Sequence, residues 1–201
     1  MNWAFAGTSA TSLRTTPEGE QVTHSVWHHW IDSRTVSPET LTDEGDMFLQ
    51  ADGERTLERG SAVDPRTGEV TEYEESWWDV PAMAVESGDE AGGELRANVV
   101  LLLQDDEHRA RGMVVRVGQF CQGFVRVGER FALERWEWKD GGEESARRDK
   151  DQARARGWKR AVRVGDWWLP CGAALREDLL KVGGEVKHQD MVWKVVELSH
   201  F

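Results

Sequence analysis

Apolar and β-branched residues in this chain recur at every second position, and almost nowhere at the 3.6-residue spacing of a helix. Side chains on a strand alternate between two faces, so this rhythm predicts half-buried strands. Residues 21–31 (QVTHSVWHHWI) open the series. Residues 55–63 and 69–78 flank Asp64-Pro65-Arg66-Thr67-Gly68, whose turn chemistry joins them as a hairpin. Residues 98–103, 112–117, 119–127 and 131–139 follow, then 158–164, 184–188 and 191–198. About ten strands with short Asp-, Gly- or Glu-rich breaks are the pattern of an antiparallel barrel or sandwich. Helix signals are few. Residues 174–181 (ALREDLLK), stopped by Gly183-Gly184, predict one short helix, while 37–46 carries Pro38 but too little apolar content. Residues 87–94 (SGDEAGGE) read as a loop, and 140–156, with no apolar side chain larger than alanine, as a mobile excursion in preference to a solvated helix of Glu, Arg and Ala.

Charge divides the chain in two. Residues 1–100 hold 20 acids and 6 bases, and 101–201 hold 17 and 19. The expectation is an acidic β lobe over 1–94 and a second lobe over 95–201, or one continuous barrel. A net charge of −12 argues against nucleic acid, which needs a basic face to release counterions. No apolar run approaches the ~18 residues of a membrane span, and no charged-then-apolar leader opens the chain. No membrane insertion is expected, and the expected address is cytoplasmic or nuclear. Cys121 and Cys171 form no C-x-x-C pair, so neither a disulfide framework nor zinc is predicted.

Trp3-Ala4-Phe5-Ala6-Gly7-Thr8 resembles the WAFAGT motif of the fungal Hri family, named for interacting with a yeast casein-kinase-type kinase. Further matches in kind and order are Trp30-Ile31-Asp32, Glu58-x-Gly60, Trp77, residues 112–124 (GMVVRVGQFCQGF), 179–184 and 192–197 (VWKVVE). The resemblance covers most of the chain. It implies an all-β, calycin- or lipocalin-like antiparallel barrel, or two half-barrels, with at most one or two short helices. It also implies a protein partner of the casein-kinase type, or of the endoplasmic-reticulum translocation machinery. Family members carry strand-like sequence ahead of the motif that here opens the chain, so an exposed sheet edge is expected.

Chemistry is sparse. His24, His28 and His29 cluster, but no further ligand stands at metal spacing, so core or rim histidines are expected and no cofactor. Cys121 has no His partner to make it a nucleophile. Asp105-Asp106 and Glu143-Glu144 sit in turn sequence, where solvent leaves carboxylates ordinary. The glycines at 112, 118, 123 and 128 read as bulges or corners, since a phosphate loop needs a strand-to-helix step. No catalytic centre is expected. The aromatic set is the distinctive signal, with 11 tryptophans against one tyrosine. Either these residues fill a core and meet a partner, or some line a cavity. For a cavity holding a small apolar ligand the lining would be Trp30, Phe120, Phe124 and Trp136, with His28 and Gln122 orienting its polar end. A non-enzymatic interaction protein is the first expectation, a ligand binder the second, and an enzyme acting on such a ligand the third.

Overall fold

The computed structural model describes residues 3–17, 19–63, 67–86, 94–140 and 157–201. Almost every regular element is a strand, and the pairings are antiparallel. The chain divides into two compact units, Met1–Pro81 and Ala82–Phe201, ahead of the expected boundary at 94 and 95. All but Asp140 of the loop expected over 140–156, and most of 87–94, lie outside the described residues.

The first unit is a meander. Strands β1 (Phe5–Thr15), β2 (Gln21–Asp32), β3 (Glu44–Leu49), β4 (Arg55–Val63) and β5 (Val70–Trp78) pair in sequence order. The hairpin expected around residues 64–68 is there as β4 and β5, with Gly68 at φ +73°. Two strands have no counterpart in the periodicity. β1 is exposed along most of its length, and β3 lies partly where a weak acidic helix signal stood. Glu58, 3% exposed, accepts hydrogen bonds from the Tyr73 hydroxyl and Trp77 Nε1, both at 2.7 Å. A side chain at Gly60 would overlap that hydroxyl, which accounts for the Glu58-x-Gly60 step.

In the second unit β6 (Val85–Glu86) and β7 (Glu94–Leu95) form a small ladder. The main sheet contains β8 (Ala97–Asp105), β9 (Ala110–Val117), β10 (Phe120–Val127), β11 (Arg130–Lys139), β12 (Gly157–Val164), β13 (Glu185–His188) and β14 (Met191–His200). Their order is β12-β11-β10-β9-β8-β14-β13, so the sheet ends in two edges rather than closing as a barrel. Alternation sorts its faces as the sequence predicts. Val99, Leu101, Val114, Cys121, Val125, Ala132, Trp193 and Val195 are buried on one face, each contributing roughly 1.5–3 kcal/mol where large and apolar. Leu169 and the one-turn helix α1 (Cys171–Ala174) belong to the same core cluster.

Two expectations are corrected here. The helix predicted over 174–181 is replaced by α1, which ends at Ala174, and a 3-10 turn at Glu177–Leu179. The Ala174 carbonyl that would continue a helix instead accepts from the buried Arg116 guanidinium at 3.2 Å, and Arg116 also pairs with Glu177. Of the four glycines read as bulges or corners, Gly118 and Gly128 are turn residues at φ +53° and +55°. Gly112 and Gly123 stand in an unbroken ladder. They are small for clearance, beneath Trp193 and beneath Leu169 and Cys171.

Candidate functional site

The first unit assembles one buried polar cluster, and the WAFAGT segment builds it. His29 Nδ1 lies 3.0 Å from Asp32 Oδ2, and Nε2 lies 2.9 Å from Asp43 Oδ2. The Phe5 ring stacks on the imidazole at 3.9 Å, and Trp3 Nε1 donates to Asp32 Oδ2 at 2.7 Å. The β1–β2 register shifts between Ala6 and Gly7, leaving Trp30 without a partner on β1. A Cβ at Gly7 would overlap the His28 carbonyl oxygen, so the motif's glycine lets the strands close over the shift. The arrangement looks like acid–base machinery but lacks its working part. Both ring nitrogens face carboxylates, leaving none for a substrate, and the His29 side chain is 1% exposed. It clasps β1 to β2.

Other chemically capable groups are similarly occupied. Cys121 and Cys171 are buried, and the Cys171 thiol is pushed far up by its hydrogen bond with Cys121, then by burial. Its thiolate is therefore suppressed. Glu134, 1% exposed, accepts from Trp136 Nε1 at 2.9 Å and from the Leu169 amide at 3.3 Å. Among the described residues no group of three or more His, Cys, Asp or Glu could hold a metal ion.

The six residues expected to line a ligand cavity are divided. His28 is exposed and Trp30 half-buried on β2 of the first unit. On β10, Phe120, Gln122 and Phe124 share the face opposite Cys121 and Val125, which face the core. Trp136 is paired with Cys121 and packs against that core, on the other side of the sheet from the three β10 residues. One cavity cannot therefore collect Trp136 with Phe120, Gln122 and Phe124. Phe124 is buried edge-on against Phe131 at 6.0 Å, while Gln122 is exposed.

The outward-facing groups are more informative. Trp77, Trp78 and Val80, at 45%, 61% and 64% exposed, run along and past the end of β5. In the second unit Trp168 is 47% exposed and lies beneath two guanidinium groups, Arg163 at 3.9 Å and Arg160 at 4.7 Å. Two clefts accompany these surfaces. One of about 840 Å³ in the first unit is lined by Arg14, His24, Asp46, Arg59 and Glu74, which pair with one another. The other, about 630 Å³, opens among the second unit's turns over Leu103, Ala110, Val127 and Met191, with Asp105, Asp106 and Asp190 at its rim. None of the six expected residues lines either cleft.

A family model described as Protein HRI1 matches residues 1–197. The chain belongs to the HRI1 family. No curated protein matches it. A crystal structure of uncharacterized protein YLR301w from Saccharomyces cerevisiae is similar, with a TM-score of 0.57 and 18% identity over 98% of this chain and 78% of that one. At such identity the likeness extends to the fold. Within this HRI1-family chain, the His29 clasp went unread because its carboxylates are remote or aligned only by a register shift. Asp32 lies in the Trp30-Ile31-Asp32 match, whereas Asp43, in the linker between β2 and β3, has no local sequence signal.

Proposed function

We propose that this chain is a non-enzymatic interaction protein. The observation that carries the reading is the contrast between interior and surface in the second unit. Trp193, Leu169, Cys171 and Ala174 occupy the core face of its sheet, while Trp168 faces outward. Trp77 and Trp78 on the first unit add to the outward set. Exposed aromatics at sheet ends are what partner recognition selects, since they bring large contact area with little entropy loss. The imidazole with both nitrogens committed and the suppressed thiol support a protein that binds rather than reacts.

The family resemblance points to a casein-kinase-type kinase as partner. A calorimetric titration of the purified kinase against the intact chain and its Trp78→Ser/Val80→Ser variant tests this. Micromolar binding, weakened at least tenfold in the variant, is expected, equivalent to about 1.4 kcal/mol or more. Absence of binding to the wild-type chain at tens of micromolar defeats the kinase assignment.

The cleft over Leu103, Ala110, Val127 and Met191 favours a second reading, a ligand binder. Asp105 and Asp106 are paired with His108 and Arg111, so Asp190 is the rim carboxylate that would meet the cation of a ligand with an apolar body. Saturable quenching of tryptophan fluorescence by an alkylammonium, lost in Asp190→Asn, is the result that would establish it.

A further inference from the structure

Strand β12 has a partner on one side only, so its outer N–H and C=O groups form an unpaired edge among the described residues. Its sequence is Gly-Trp-Lys-Arg-Ala-Val-Arg-Val, and residues 159–163 are all exposed. The β11–β12 register shifts between Arg135 and Trp136, so that Trp136 pairs with Arg160 while Glu134 pairs with Arg163. In a regular strand, residues three apart point to opposite faces. The shift instead turns Arg160 and Arg163 to the same side, where both guanidinium groups lie over Trp168. Arg160 also reaches the Trp136 ring at 5.5 Å, and Arg130 covers Trp167 at 4.6 Å.

Several arginines elsewhere in the protein are ion-paired. Arg14, Arg55, Arg59, Arg111, Arg135 and Arg176 each have a carboxylate in ion-pair or hydrogen-bond reach. Among the described residues, Lys159, Arg160 and Arg163 have none; Arg163 donates only to the backbone oxygen of Asp166, at 3.1 Å. In a chain with 37 acids and 25 basic residues, these three cations form a basic patch with no ion pair among the described residues, although Glu137 stands opposite Lys159 and Glu134 opposite Arg163 in the ladder. Stacking on indole holds the guanidinium planes in place while leaving their N–H donors available to a carboxylate.

From the open edge and the cations that have no ion pair among the described residues, we infer that β12 is a docking strand for an extended acidic peptide segment of a partner protein. The segment adds to the sheet by backbone hydrogen bonds, and its acidic side chains meet Arg160 and Arg163 on one face and Lys159 on the other. The backbone edge supplies affinity and the cations supply selectivity. A nucleic acid has no backbone that continues a β-ladder, and a chain of net charge −12 repels a long polyanion. This inference rests on the reading of the chain as an interaction protein and names the partner's chemistry at one surface.

The experiment uses the intact chain and an alternating Glu/Val peptide of about eight residues, long enough to span one strand. Its controls are the Lys/Val counterpart, the same acidic peptide N-methylated at alternate residues on either register, and oligo-dT. Binding is read by calorimetry at about 50 and 300 mM salt, and the surface by amide hydrogen exchange. The acidic peptide should bind, weaken with salt, and slow exchange in residues 157–164. Arg160→Gln/Arg163→Gln, checked for unchanged melting, should lose at least tenfold in affinity, and the N-methylated peptide whose blocked amides face β12 should bind no better than the Lys/Val peptide while its other-register counterpart still binds. Full-strength binding of both N-methylated peptides overturns strand addition. Tighter binding of oligo-dT overturns the peptide assignment, and no binding of the acidic peptide at millimolar concentration overturns the site. If the acidic peptide does not bind while the kinase does, the β12 inference fails and the interaction reading stands.

Discussion

Gly112→Ala is a demanding test of how the second unit is packed. Gly112 lies opposite Leu103 on β8 and Val125 on β10, with the Trp193 ring above it. A Cβ there would stand 2.7 Å from Cζ3 and 3.0 Å from Cζ2 of that ring, and nearer still to Cη2. Carbon atoms rest at about 3.5–4.0 Å, so the ring must retreat by about 1 Å. Trp193 is 1% exposed and belongs to a core that also contains Val195, Leu169 and Ala174, which leaves it little room to move. Overpacking of this kind costs ~1–3 kcal/mol. For a unit of this size, about 2 kcal/mol corresponds to a fall of roughly 6–12 °C in the melting midpoint. Trp193→Phe removes the ring atoms that collide, and with them an indole N–H that is buried without a hydrogen-bond partner. The double variant should therefore be less destabilised than the sum of the singles by about 1 kcal/mol or more. Calorimetry gives the midpoints, and hydrogen exchange in β8, β9 and β14 assigns the loss to this unit. A Gly112→Ala cost below about 0.5 kcal/mol, the level of an indifferent substitution, or strict additivity of the pair, would refute the clearance argument.

Arg116 and Glu177 form a buried ion pair at 1% and 5% exposure, so Arg116→Met should cost about 3–5 kcal/mol by stranding the carboxylate. Adding Glu177→Leu should recover most of that in urea denaturation, and no recovery would mean the charge was not the cause. The Glu75 carboxyl is raised above its ordinary 4.5 by partial desolvation, then by the charges of Glu58 and Asp43. Above that ordinary value the native chain binds more protons than the unfolded one, so this group's contribution to stability falls as pH rises through the raised pKa. Glu75→Gln should flatten that slope in urea midpoints taken between about pH 4.5 and 7, by roughly 0.5 kcal/mol, and an unchanged slope counts against it. Cys121 and Cys171 should resist thiol reagents in the folded chain and react fully in denaturant, whereas rapid native labelling would contradict the burial of the pair.

Most of the second unit was legible because its strands have one buried and one exposed face, which period-two alternation reports directly. β8 runs Val99, Leu101, Leu103 inward, and β9 runs Ala110, Val114 inward. β1 was illegible for the converse reason. Its Ala, Gly, Ser and Thr residues are exposed on both faces, so no alternation was required of them. The 174–181 helix failed because the deciding contact, from Arg116 to the Ala174 carbonyl, comes from 58 residues away. Trp136 does not group with Phe120, Gln122 and Phe124 because the β10–β11 register places it opposite Cys121, which alternation along single strands does not reveal. The basic site on β12 was hidden by a register shift, since a regular strand would have separated Arg160 from Arg163.

The strand order also dictates how the two units can emerge during synthesis. In the first, each strand pairs with its neighbours in sequence, so every ladder can close soon after its residues leave the ribosome. In the second, β14 is inserted between β8 and β13, and its Lys194 pairs with Leu102 across more than ninety intervening residues. Until that last strand arrives, one flank of β8 is bare and Trp193 is missing from above Gly112. The nascent chain thus carries a finished first unit and, in the second, an open apolar sheet. This is the interval in which a chaperone would be most needed and a premature stop most damaging.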